Sequence, residues 1–353
     1  MKHRLKLLAR EAWARLLWHT GLHVVVDRLM PRRLTVLYGH CVADPAVNAT
    51  LPADMKISRE RLEKLLVALG RRYEWCTIGD GVRSLREGRG RSLVALSMDD
   101  GYRDNATMLP ALLDAHRARA TLFVETRALD ERRLNWSHKF FPLVDLLGIA
   151  GFVERFVSFC VDGALVERMR SALDGEPERA LYRVKRVLKY EAEPGARDAA
   201  IDAIWGEEEL DEQALCERLY MTWDDVRRLH ARGFEFGGHT ITHPVLATLD
   251  EAAQRHEIAG GKSALELQLD ASVTTFAYPF GRAWDFDERS VAAAREAGFE
   301  CAVTTHARTN GASSDPWRLA RLPLDDTTRL HVVATEACGG FDLLRRLGLD
   351  LSE

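Results

Sequence analysis

The sequence is short of the features that mark several large classes of protein. No two of its six cysteines form a CxxC pair, and their spread from Cys41 to Cys338 excludes the dense disulfide framework of a small secreted domain. Reduced thiols in a cytoplasmic protein are the expectation. An excess of positive charge is also missing: the formal net charge is -4, so there is no global basic field to suggest nucleic acid. Long apolar runs are lacking near the N-terminus, where Leu16 to Val26 is broken by His19 and His23 and falls short of the ~18 residues of a membrane span. Arg10, Glu11 and Arg15 interrupt what would be the apolar core of a signal peptide. What is present is 353 residues, 46% hydrophobic and 29% charged, a balance able to bury a sizeable core. One large α/β domain with insertions is preferred over two smaller domains.

The first 33 residues stand apart from the remainder. Eight basic residues there oppose only Glu11 and Asp27, so 8 minus 2 gives +6 for this segment and -10 for the rest. Leu5, Leu8, Ala12, Trp13, Leu16 and Leu17 recur at helical spacing with arginines between them, which reads as a basic amphipathic helix over 1–33. Such a helix either packs on the domain with a solvated basic face or lies on the anionic inner face of a membrane as a peripheral anchor.

From residue 34 onward, strand and helix signals alternate. Leu34 to Tyr38 reads as a buried strand with His40 at its mouth, and Leu93 to Leu96 as a second that delivers Asp99 and Asp100 to a turning glycine. Ala120 to Val124 is another, and Phe234 to Phe236 a short one that runs into Gly237, Gly238 and His239. Parallel strands joined by helical crossovers are implied, with any site at the carboxyl ends of the strands. Between about 130 and 221 the alternation stops and apolar-periodic stretches suggest an all-helical insertion that leaves the barrel at its strand-end face.

Two clusters at strand ends carry chemistry. Adjacent carboxylates Asp99 and Asp100, turned into one pocket where the strand stops, permit two roles in one site. In GGHTITHP, His239 and His243 have the i, i+4 spacing that brings two imidazoles to one side of a helical turn. Two neutral imidazoles and one carboxylate would leave positions open for water and substrate, the composition of a catalytic rather than a structural metal site.

SMDDGYRDN, GGHTITHP and FAYPFG, in this order, resemble the three leading motifs of the polysaccharide deacetylases, the NodB-homology or family-four carbohydrate esterases. The likeness extends loosely from Leu34 to Leu324, with the helical insertion outside the shared core. It implies a distorted (β/α) barrel of the NodB-homology type over 34–353. It also implies a general base at Asp99 and one divalent metal, with zinc the expectation, held by Asp100, His239 and His243. The Phe280 backbone N–H would help form the oxyanion hole, with Tyr278, His40 and His138 as further substrate-binding candidates. The implied substrate is an N-acetylated sugar of a polysaccharide, glycolipid or glycan precursor.

The chain departs from the pattern in three places. Ala277 stands where many members have an arginine that orients the base, so another group must serve Asp99. Ser97-Met98 replaces Thr-Phe before the acids, a change that keeps a hydroxyl and bulk. No late motif supplies a clear general acid, which leaves His331, His138 and His306, in that order, as candidates. These departures keep one alternative function open, a non-catalytic carbohydrate-binding or scaffold protein that retains the deacetylase fold.

Overall fold

A computed structural model describes residues 2–88 and 90–351, with the side chains of Lys2, His3, Arg4, Pro45 and Ala46 outside that description. Lys2 and Arg4, counted above in the basic segment, therefore enter no structural argument. Eight parallel strands form one curled sheet: β1 (Leu34–Gly39), β2 (Glu74–Cys76), β3 (Leu93–Met98), β4 (Ala120–Val124), β5 (Glu235–Gly238), β6 (Thr275–Ala277), β7 (Cys301–Val303) and β8 (Leu322–Pro323). Their order is β8-β1-β3-β4-β5-β6-β7, and β2 pairs with the first half of β3. An isolated parallel bridge from Val303 to Leu319 draws β7 toward the start of β8. The curl is that of an irregular barrel.

Strands buried on both faces lack hydrophobic alternation, and β3, with all six residues buried, and β4, with all five, follow that rule. Because β1 pairs with β3 from Leu34–Leu93 to Gly39–Met98, both strands stop together and place His40 beside Asp99. At Gly237 a Cβ would come within 2.4 Å of the Phe123 ring, so only glycine lets β5 lie this close to β4.

Between Arg127 and Leu219 the described residues form helices only, among them Trp136–Ser158, Ala180–Tyr190 and Pro194–Glu207. Asn135 starts the first of these. Its side-chain oxygen accepts from the N–H groups of Ser137 and His138, while its Nδ2 donates to the buried carboxylate of Glu125 just past β4. Phe140, Phe152, Phe156, Leu188, Ile201 and Ile204 join the barrel's main apolar cluster, so the helical segment shares one core with the sheet.

The N-terminal segment forms two helices, Lys2–His19 and Leu22–Leu29, packed against a C-terminal one, Leu330–Ala337. Trp13 Nε1 donates to the Gly340 carbonyl at 3.1 Å, and Ala14 and Leu17 are buried. Leu5, Leu8, Leu22, Val25 and Leu29 remain exposed.

Candidate active site

The carboxyl ends of β1, β3, β5 and β6 open into one cavity of about 500 Å³. Asp99 and Asp100 leave β3 through a backbone that turns left-handed at Asp100 (φ 70°) and Gly101 (φ 73°), and both carboxylates line the cavity although buried. A non-glycine residue in that region is strained, and here the strain turns two neighbouring acids toward one space.

His239 and His243 come together by a route that spacing alone does not give. The segment after β5 is an irregular loop rather than the helical turn the i, i+4 spacing suggests, with positive φ at Thr240 (68°) and His243 (58°). Thr240 Oγ1 accepts from the His243 N–H at 3.0 Å. The Glu257 carboxylate, from the helix Glu251–Leu269, accepts from the N–H groups of Ile241 and Thr242 and from the Thr242 hydroxyl at 2.6 to 2.9 Å. That clamp fixes the loop, and the imidazole centroids stand 4.8 Å apart.

The two Nε2 atoms lie 3.3 and 3.4 Å from Asp100 Oδ1, and the three donor atoms fall within 4.8 Å of one another. That carboxylate oxygen is buried without a hydrogen-bond partner among the described residues. A buried charged oxygen left unpaired is costly, and an ion seated among it and the two ring nitrogens removes the cost. His239 Nδ1 is 2.7 Å from the Ala277 carbonyl, which fixes the proton on Nδ1 and leaves Nε2 as a lone-pair donor. Burial pushes the His243 pKa well down and so favours the neutral ligand form. Burial raises the Asp100 pKa, but the facing imidazoles, His239 first, outweigh it and hold the group well below the usual carboxylate range. For His239 burial acts downward, yet Asp100 lifts it overall, and negative charge that favours a proton there favours a divalent ion in its place. The donor set therefore fits a divalent metal.

Asp99 has a partner that the motifs do not reveal. Arg321, immediately before β8 and fully buried, forms a two-pronged ion pair with it, Nη1 to Oδ1 at 2.7 Å and Nη2 to Oδ2 at 2.8 Å. Its Nη1 also reaches Ser97 Oγ at 3.2 Å, and its Nε donates to the Thr304 carbonyl at 2.9 Å. A guanidinium fork of this kind fixes the plane of a carboxylate. Arg321 thus makes the arginine contact to the acid that Ala277 cannot. The signal lay in Leu319-Ala-Arg-Leu-Pro-Leu, where one arginine interrupts an apolar run. We expect Arg321→Met to lower kcat with little change in KM, and to cost about 3–5 kcal/mol of stability by leaving a buried carboxylate unpaired. Arg321→Lys keeps the charge without the fork and should restore stability more than rate; the check is steady-state kinetics with urea unfolding of the three proteins.

Phe280 adopts φ 60°, and its N–H donates to no group among the described residues, which leaves it available to an oxyanion. Its ring lies 4.7 Å from that of His243. His40 also lines the cavity, and its main-chain carbonyl accepts from Asn105 Nδ2 at 2.8 Å. Other expected site residues fall elsewhere. Tyr278 is fully buried in the core, stacked on Phe286 at 3.9 Å, with its hydroxyl on the Trp317 carbonyl, so the substrate-binding assignment is corrected.

The general-acid expectation is corrected as well. His331 sits on the C-terminal helix with Nε2 on Glu11 at 2.8 Å and does not line the cavity. His306 is exposed and outside the lining. His138 does line it, 3.8 Å from Asp100 Oδ2, but its ring nitrogens are engaged by the hydroxyls of Tyr102 and Tyr220. Burial pushes its pKa to about 4, so near neutrality it carries no acidic proton of the imidazolium kind.

Comparison with known proteins bears on one stretch of the sequence and on the fold. The family model described as polysaccharide deacetylase matches residues 196–302, a stretch that holds His239, His243 and Phe280. No match in sequence was found among curated proteins. Among solved structures, the Streptococcus pyogenes deacetylase PplD in complex with acetate is similar at 15% identity and TM-score 0.58, over 87% of this chain and 99% of that one. IcaB from Ammonifex degensii is similar at 17% identity and TM-score 0.54, over 88% and 98%. A polysaccharide deacetylase from Bacillus cereus follows at 15% and 0.52, over 87% and 69%. The chain thus carries a sequence mark and the fold of the polysaccharide deacetylases.

Proposed function

We propose that the protein is a metal-dependent hydrolase that removes N-acetyl groups from a sugar of a polysaccharide, glycolipid or glycan precursor. One observation carries the reading: the Asp100, His239 and His243 donor set stands at the same strand ends as a carboxylate, Asp99, held by a buried arginine. Two imidazoles and a carboxylate suit zinc. Such an ion, when bound, supplies Lewis acidity and lowers the pKa of a coordinated water toward ~7.

The chain's own residues account for the rest of the reaction. Asp99 accepts the proton of the attacking water as its oxygen bonds to the acyl carbon. The Phe280 N–H donates to the oxygen that gains charge, a contact whose loss typically costs about 3 kcal/mol in such sites. The carbon–nitrogen bond then breaks, and Asp99, now protonated, is placed to return its proton to the leaving amine. Acetate and a free amino sugar result. Acetate release from a panel of N-acetylated saccharides by the metal-loaded protein tests the reading. A metal-bound protein inert on all of them points instead to a carbohydrate-binding scaffold.

No helix of the described residues is long and apolar enough to cross a membrane. We propose that the exposed apolar row of Leu5, Leu8, Leu22, Val25 and Leu29, beside basic side chains, rests on the anionic inner face of a membrane. Co-sedimentation with anionic vesicles should weaken in Leu5→Glu/Leu8→Glu and at high salt. Equal binding by wild type and variant contradicts this placement.

A further inference from the structure

One wall of the cavity has chemistry that amide hydrolysis does not use. The helix Ala180–Tyr190 turns Tyr182, Lys185, Arg186 and Lys189 toward the cavity at helical spacing, and Arg282, from the loop after β6, adds a fourth cation. Lys189 is accounted for: its ammonium pairs with Asp285 at 2.9 Å and lies over the Phe280 ring at 3.6 Å. The others differ. Among the described residues, Lys185, Arg186 and Arg282 have no carboxylate within ion-pair distance. Lys185 is half-buried, with its ammonium 4.4 Å from the Phe141 ring centroid. Asp54 and Glu178 share the lining but close no ion pair with these groups.

Lys185 is thus partly withdrawn from water without a counter-charge in contact, a cost that a bound anion would offset, while Arg186 and Arg282 are exposed and free to turn toward the same anion. Burial pushes the Lys185 pKa down to about 8, and the charges of Asp54 and Asp100 offset this only in part. A neutral N-acetylated sugar offers this wall hydrogen-bond acceptors but no negative charge.

Resting on that reading, we propose that the substrate carries a phosphoryl group beside its N-acetylated sugar and that Lys185, Arg186 and Arg282 receive it. Ammonium and guanidinium donors that line one cavity from two elements suit the several oxygens of a phosphoryl group. A nucleotide-linked sugar and a lipid-phosphate-linked sugar share this chemistry.

The test uses the full-length, metal-loaded protein and has two arms. Calorimetry with inorganic phosphate reads the wall without turnover, so it stands even if no acetate is released. Saturable binding is expected, weakened about tenfold or more in Lys185→Gln/Arg186→Gln at unchanged metal content, and retained in Lys185→Arg. Equal binding by wild type and Lys185→Gln/Arg186→Gln would mean that the metal alone holds phosphate, and would overturn the proposal.

The second arm compares kcat/KM on chitotriose with that on N-acetylglucosamine 1-phosphate, a nucleotide-linked N-acetylglucosamine and a lipid-phosphate-linked N-acetylglucosamine in vesicles. At least one phosphorylated form should be preferred, and the preferred form identifies the source. The ratio of phosphorylated to neutral kcat/KM should fall about tenfold or more in Lys185→Gln/Arg186→Gln. Wild-type protein that prefers chitotriose, or an unchanged ratio in the variant, contradicts the inference.

Discussion

Asp99→Asn is expected to lower kcat by about 10²–10⁴-fold while the protein keeps its metal. The substitution removes the proton acceptor but none of the atoms of the Asp100, His239 and His243 set. It also replaces an oxygen that accepts from Arg321 with an NH₂ group facing the guanidinium, so about 3 kcal/mol of stability should go with it. Unfolding midpoints measured beside the kinetics separate the two effects. A folded Asp99→Asn protein with wild-type kcat would remove Asp99 from the mechanism. Loss of metal in that variant would mean that Asp99 is itself a ligand.

The second large effect belongs to His239→Ala. This change leaves the Ala277 carbonyl without its donor and Asp100 facing one imidazole instead of two. Metal content and acetate release should fall together, because an ion held by Asp100, His239 and His243 would supply Lewis acidity and lower the pKa of a coordinated water. The neighbouring Glu257 offers a control of a different kind. Glu257→Gln keeps every donor atom but weakens the clamp on Ile241 and Thr242, so it should lower metal affinity by about 10–100-fold rather than abolish binding.

Much of this site was legible in the sequence because strand ends announce themselves. An apolar run that halts at two acids and a glycine, and another that halts at Gly237-Gly238-His239, lead into the places where Asp99, Asp100 and His239 stand. The conformation of the histidine loop was not legible, since i, i+4 spacing suits a helical turn and a Glu257-clamped loop equally well. Arg321 escaped because its partner is 222 residues away, and only the closing of the sheet, with β8 beside β1, brings them together. The assignments of Tyr278 and His331 failed for other reasons. A residue inside a motif, just past a strand end, can still face the core, as Tyr278 does, and a histidine on a late helix can serve the N-terminal helix, as His331 does through Glu11. The apolar period of the Ala180–Tyr190 segment announces a helix, but nothing in that segment alone shows that its basic side chains meet a cavity.

The central claim is that one divalent ion, held by Asp100, His239 and His243 beside Asp99, performs deacetylation. Elemental analysis of the purified wild-type protein, with acetate release measured before chelation, after it and after metal is restored, tests this most directly. The account predicts one equivalent of a divalent metal, zinc by its donor set, with activity lost on chelation and regained on reconstitution. Acetate release that persists in the metal-free protein would contradict it.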